Sequence, residues 1–186
     1  IANNKNKVVQ LAEGQNFMSL AQSRTTRGFT QHRLGLPAFQ VMVYDFKRDP
    51  SKNNALVVNA SGFPMAADNL IPVGTSIHPT TGGWNNSLKY KKFSLDFLID
   101  YKYGGWIYSG TNARAYANGL HKNTLEGRTS GVTVTGVDAS GTAVTTNISA
   151  QNYYGALANI SYVQTYKADF IKFRSLTLSY DVPIRN

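Results

Sequence analysis

The chain has 186 residues, the size of one ordinary domain, and its 19 Lys and Arg outweigh 10 Asp and Glu to give a formal net charge of +9. It has no cysteine, which removes disulfides, thiolate metal sites and a cysteine nucleophile, and no apolar run of the ~18 residues that a transmembrane helix needs. The basic residues are scattered through turns and loops rather than gathered on a helix face, which argues against nucleic acid as a partner. His32, His78 and His121 lie far apart without ligand-like spacing, so neither a metal nor a cofactor is expected.

Residues 1–11 carry a polar lead and then Val8, Val9 and Leu11, the pattern of a strand end. A polar, basic segment follows, punctuated by Gly14, Gly28 and Gly35. Ala38 to Phe46 alternates, with Phe39, Val41 and Val43 against Gln40, Met42 and Tyr44. Lys47 to Asn54 is a charged turn, and Ala55 to Val58 a short apolar piece. Gly62, Pro64, Pro72, Gly74 and Pro79 then mark residues 60–81 as loop, because proline has no N–H for a central ladder.

Gly82 to Tyr103 reads as two strands joined by a tight turn at Lys91. Phe93, Leu95, Phe97, Ile99, Tyr101 and Tyr103 share one face, and Ser94, Asp96, Leu98, Asp100 and Lys102 the other. The length suits a tilted membrane-spanning strand, and aromatic residues gather at both ends as they do at membrane interfaces. Trp84 fits such an interface belt as well as it fits a ligand contact.

Residues 104–166 form a long excursion. Within it GVTVTGV and TAVTTNI flank Asp138-Ala139-Ser140-Gly141 as a small hairpin. Ser149 to Ile160 suits a short helix capped by Ser149, with Tyr153, Tyr154 and Leu157 at helical spacing. Phe170 to Val182 reads as a last long strand with Leu176, Leu178, Tyr180 and Val182 on one face. Its phase switches at the start, where Ile171 and Phe173 fall on the polar parity, and a bulge near Arg174, or emergence from the hydrocarbon there, would account for that.

Long strands that alternate between a minimal turn and very long excursions are expected of outer-membrane barrels. The predicted fold is all-β, a segment of a large antiparallel transmembrane β-barrel with long extracellular loops. The predicted division is 1–11 strand end, 12–81 extracellular loop region with local β-structure, 82–104 transmembrane hairpin, 105–166 long extracellular loop and 167–186 transmembrane strand. This requires that Ala38 to Phe46 stay out of the wall.

Four blocks in order carry a resemblance: GGWNNSLKYKKFSLDFLIDYKYGG, GLHKNTLEGR, GVTVTGVDASGTAVTTNISAQNYY and KADFIKFRSLTLSYDVP. The succession resembles the C-terminal barrel region of SusC/RagA-type outer-membrane proteins, the TonB-dependent transporters of Bacteroidota. It is strongest from Gly82 to Pro183. It departs at Tyr153-Tyr154, where the family often ends an aromatic pair in Trp, and at Asp169 to Arg174.

The resemblance implies a larger protein in the bacterial outer membrane, with a signal sequence, a TonB-contacting segment and a plug upstream and further strands downstream. The whole would be a plugged barrel of ~22 strands, since three or four strands cannot close and open edges in lipid are costly. It further implies uptake of oligosaccharides or peptides, a SusD-like surface lipoprotein as lid, TonB as energy source, and contact with outer-membrane lipid and lipopolysaccharide phosphates.

No catalytic constellation is visible, and the chain is not expected to be an enzyme. Asp96 and Asp100, with Lys102 nearby, are read as facing a polar lumen. Glu126 and Arg128 are expected to form a local ion pair. Trp106, Tyr108, Arg114, Tyr116, Tyr153 and Tyr154 are the candidates for contact with substrate or partner, since aromatic faces stack on sugars; the alternative for each is packing within the loop. Tyr162 adds to the same enrichment. The competing function is a soluble or surface-attached β-rich carbohydrate-binding module, in which the apolar parity would face a second sheet. A passive porin is disfavoured because its barrel would lack the four blocks.

Overall fold

The alternation over residues 93–103 makes the central strand of an antiparallel sheet in the computed structural model, which describes residues 1–182. In chain order the first half holds β1 (Ala2–Asn3), β2 (Phe17–Gln22), β3 (Gly28–Arg33), β4 (Gln40–Phe46), β5 (Arg48–Asp49), β6 (Ala55–Leu56) and β7 (Ala66–Thr75). The second half holds β8 (Thr80–Tyr90), β9 (Phe93–Tyr103), β10 (Trp106–Tyr108), helix α1 (Gly110–Ala117), β11 (Val132–Val137), β12 (Ala143–Ile148), helix α2 (Ala150–Leu157), β13 (Thr165–Lys167) and β14 (Phe170–Tyr180). The fold is all-β, in antiparallel sheets with two short helices among the described residues.

One four-stranded sheet, in the order β1-β8-β9-β14, contains the three 11-residue strands β8, β9 and β14; it is called the wall sheet below. Tyr90 pairs with Phe93, so two residues make the turn, and Lys91 enters the left-handed region at φ 53° to do it. The register sets Tyr90, Leu88 and Trp84 beside Phe93, Leu95 and Ile99, with Tyr180, Leu178, Leu176, Phe173 and Ile171 on the far side. These share one face. Trp84 meets Phe97 edge-on at 5.3 Å, and Phe93 lies 4.8 Å from Tyr180.

The phase switch in β14 is a bulge: the register shifts between Phe173 and Ser175, leaving Arg174 as the extra residue. The inserted residue returns Ile171 and Phe173 to the apolar face. The last part of the predicted 167–186 strand, including Pro183, lies outside the described residues.

The second four-stranded sheet, in the order β2-β3-β4-β7, is separate from the wall. Val41, Met42 and Val43 are consecutive and all buried, so β4 is covered on both faces. A 3-10 turn at Ser161–Gln164 packs on it, and the Tyr44 N–H donates to Ser161 Oγ at 2.8 Å. Two glycines admit the covering aromatics. Any Cβ at Gly28 would overlap the Tyr108 ring, and one at Gly74 the Trp106 ring. Together with the β11–β12 hairpin and both helices this sheet forms what is called the cap. Its core joins Tyr116, Ala150, Tyr154, Leu157 and Ile160, and a second cluster joins Val58, Val134 and Ile148.

Wall and cap meet at a short joint. His78 Nε2 lies 2.8 Å from the Ala168 carbonyl oxygen, so that nitrogen carries the proton. The Gly104 N–H donates to Asp169 Oδ1 at 2.6 Å, and the Ala168 N–H to the Gly105 carbonyl at 2.9 Å.

Several expectations are corrected. Val8, Val9 and Leu11 are not strand: the wall takes only Ala2 and Asn3, paired with Thr81 and Thr80, and Val8 instead exchanges backbone bonds with Leu36 and Gly35. Residues 60–81 are not all loop, because β7 runs through Pro72 and β8 starts at Thr80 rather than Gly82. Proline is admitted because β7 is an edge strand, and Pro72 sits beside a register shift opposite Met42. Beside the expected hairpin and helix, residues 105–166 also hold β10, which pairs with β13, and α1, which follows Ser109.

Candidate functional site

Two hollows of the cap are built where α1, α2 and the turn between them meet. α1 starts because Ser109 Oγ accepts from the Asn112 N–H at 3.1 Å, and it buries Ala113 and Tyr116 one turn apart. It stops at Asn118, whose N–H returns to the Arg114 carbonyl. α2 starts with the same device, Ser149 Oγ accepting from the Asn152 N–H at 3.3 Å, and buries Ala150, Tyr154 and Leu157 along one stripe.

Between the helices a 3-10 turn at Lys122–Leu125 is held by side chains. His121 stacks on Tyr116 with ring centroids 4.4 Å apart, and its Nδ1 accepts from the Asn123 N–H at 3.2 Å. Asn123 Nδ2 donates to the Tyr116 hydroxyl at 2.8 Å. Arg128 gathers the segment: Nε donates to the Thr124 carbonyl at 2.9 Å and Nη2 to the Gly119 carbonyl at 2.5 Å. The expected Glu126–Arg128 ion pair is absent among the described residues, because backbone carbonyls occupy the guanidinium instead.

Tyr116 and Tyr154, 5.9 Å apart, form a ridge between two hollows. The first, of 730 Å³, is rimmed by Asn118, Arg128, Ser149 and Gln151; the second, of 490 Å³, by Lys122, Glu126 and Tyr153. Burial pushes the Tyr153 and Tyr154 phenols up from their ordinary value, and the negative charge of Glu126 adds to it. Both stay neutral O–H groups at physiological pH. Tyr116 and Tyr154 are themselves core residues, 5% and 6% exposed, so the hollows present chiefly amides and hydroxyls at their rims, with the fixed Arg128 cation on one side and Lys122 with Glu126 on the other.

The structure divides the six contact candidates. Tyr116, Tyr153 and Tyr154 come together at this ridge. Trp106 and Tyr108 lie apart, on β10, where Tyr108 Oη shares a 2.7 Å hydrogen bond with Thr25 and Lys167 Nζ stands 4.1 Å over Trp106. Arg114 is exposed on α1. Sequence reasoning missed the buttress of His121, Asn123 and Arg128. The signal for α1 was present in the spacing of Ser109 before Asn112, followed by Ala113, Arg114 and Ala115.

On the wall, Asp96, Asp100 and Lys102 share the face opposite the apolar one. Arg174, projected by the bulge, grips Asp100 with Nε and Nη2 at 2.8 and 2.7 Å, and Ser87 Oγ donates to Asp96. The partner of Asp100 is thus Arg174 rather than Lys102. No group of three metal-ligating side chains converges among the described residues.

No family model matches the chain, and no curated protein matches it in sequence. Among solved structures it is similar to one described as the RagAB peptide importer in the "closed-closed" state, with a TM-score of 0.56 and 17% identity. The likeness covers 95% of this chain but 19% of that one, so the chain spans about a fifth of its neighbour's length. At that identity the likeness is one of fold: wall strands and cap together trace a path also found in a chain of that importer.

Proposed function

We propose that the chain is one arc of the wall, with its outer cap, of a SusC/RagA-type importer in the bacterial outer membrane. The single observation behind this reading is the wall sheet. Strands of 11 residues rise roughly 36 Å and, tilted by ~45°, span about 25 Å, the height of an outer-membrane apolar band. Their apolar face is uncovered among the described residues, with Leu88, Phe93, Phe173 and Leu178 exposed beside Trp84 and Tyr90. A sheet face of this extent in water is a site of association, whereas hydrocarbon covers it at no cost. The opposite face carries Asp96, Asp100, Lys102 and Arg174, as a polar lumen requires.

In this reading the β8–β9 turn faces the periplasm and the cap faces outward. The cargo is an oligosaccharide or peptide, the fold neighbour being a peptide importer. A SusD-like lipoprotein closes the cap side, TonB acts through a segment upstream of these residues, and lipopolysaccharide phosphates meet basic outer loops. The two hollows beside Tyr116 and Tyr154 are places where the cap meets cargo or lid. The chain conducts and gates no chemistry of its own and is not an enzyme.

Extraction of the native protein tests the reading. A species of roughly 100 kDa, the size of a plugged ~22-strand barrel, is expected, released only by detergent and accompanied by a lipoprotein. A soluble species near 20 kDa would overturn it.

A further inference from the structure

The two ends of the wall's apolar face differ in charge. At one end Tyr101 and Tyr103 lead into Gly104 and Gly105, and the lysines there, Lys102 and Lys172, stand on the opposite, polar face. At the other, Tyr90, Phe93 and Tyr180 are followed directly by Lys91 and Lys92 in the turn. Lys89 is matched by Asp181 at 3.2 Å. Neither Lys91 nor Lys92 has a carboxylate within ion-pair reach among the described residues. Lys91 Nζ instead stands 5.3 Å over the Tyr90 ring, and the Asp181 N–H donates to the Lys92 carbonyl at 2.8 Å, tying the turn to the end of β14. The turn is therefore held in place, carries two unmatched charges, and stands at the edge of an aromatic belt.

We propose that this turn is a docking site for an anionic phospholipid, whose phosphate meets Lys91 and Lys92 and whose acyl chains lie along Leu88, Leu95 and Leu178. This rests on the membrane reading above. Hydrocarbon satisfies the sheet face but not the two ammonium groups at its rim. A lipid that joins acyl chains to a negative headgroup satisfies both, and each interfacial lysine strengthens attraction to such a surface.

The test uses the native full-length protein in detergent, with bound lipid counted by native mass spectrometry during titration with phosphatidylglycerol or phosphatidylcholine. The unsubstituted protein is expected to prefer phosphatidylglycerol. Lys91→Asn with Lys92→Gln, in which asparagine keeps the left-handed turn, is expected to lower that preference by about 10- to 30-fold. Lys92→Gln alone should act in the same direction, and Lys52→Gln, in the turn between β5 and β6, should have no effect. Unchanged preference in both turn variants would overturn the proposal, as would displacement of the lipid by millimolar inorganic phosphate, which marks a free-anion site. Release without detergent would sink the membrane reading itself, a separate readout.

Discussion

The cap sheet and the wall sheet are both four-stranded and antiparallel, yet they meet water in opposite ways. In the cap, Met42 on β4 is 0% exposed and Val41 and Val43 are nearly as dry. In the wall, Leu176 on β14 is 61% exposed and Leu178 70%. The difference lies in what the chain supplies as cover. β4 carries apolar side chains on both parities and is enclosed by the Ser161–Gln164 turn and β10. The wall strands carry them mainly on one parity, and no described residue folds over that face. Alternation thus defines a face, and the surroundings decide which solvent that face is made for.

The largest effect expected within this contrast is in the cap. Met42→Ala should destabilise it by about 2–5 kcal/mol, because a fully buried side chain leaves a cavity its neighbours cannot fill. Hydrogen exchange in β3, β4 and β7 of the intact protein would show it, and unchanged protection would mean that β4 is not the cap's core.

Leu176→Arg sharpens the contrast most directly. In hydrocarbon the substitution should cost about 2–4 kcal/mol, measured as refolding into lipid vesicles. At a site 61% exposed to water it should change stability by no more than about 0.5 kcal/mol. The smaller value would move the wall into water.

Gly136→Ala comes next. Its Cβ would meet the Leu56 carbonyl oxygen, a backbone group that cannot swing aside, and a cost of about 1–3 kcal/mol is expected, read as faster proteolysis of the β11–β12 hairpin.

Arg174→Ala leaves the bulge without its two bonds to Asp100, and amide exchange in β14 around residues 171–176 should accelerate while the cap is unaffected. Equal exchange throughout would remove Arg174 as the clamp of the register.

The smallest effect is acidic. The Ser140 hydroxyl, then the Thr142 N–H, hold the Asp138 carboxyl below its ordinary value. A lowered folded pKa gives stability that is present above the unfolded value near 4 and is lost as pH falls through the folded one. The β11–β12 turn should therefore loosen only below about pH 4, and Asp138→Asn should flatten that dependence. A carboxyl titration by NMR checks it.

The long wall strands were legible because one rule, a period of two, operates over their full length, and even the bulge at Arg174 was announced by a change of parity. The β11–β12 hairpin and the Ser149 cap were legible for a similar reason: turn and cap residues act within a few positions of themselves. β7 was not, because Pro72 excludes a central strand and the sequence does not say which strands lie at an edge. The Glu126–Arg128 pair failed because proximity in sequence identifies an available partner, whereas Arg128 found closer acceptors at Gly119 and Thr124 once the segment had closed on itself. Of the contact candidates, composition drew attention to the tyrosines but had no means of separating Tyr116 and Tyr154, which form the ridge, from Trp106 and Tyr108, which fill the space above Gly28 and Gly74.

By itself the sequence determined the wall's two unlike faces, its strand length and its tight lysine turn, since each depends on neighbours no more than a few residues away. Only the tertiary structure decided that β2, β3, β4 and β7 pair into one sheet, that Arg174 rather than Lys102 holds Asp100, and that His121, Asn123 and Arg128 buttress the Tyr116–Tyr154 ridge. Those outcomes depend on contacts between distant segments, where the geometry of close packing selects among partners that the local sequence leaves equally available.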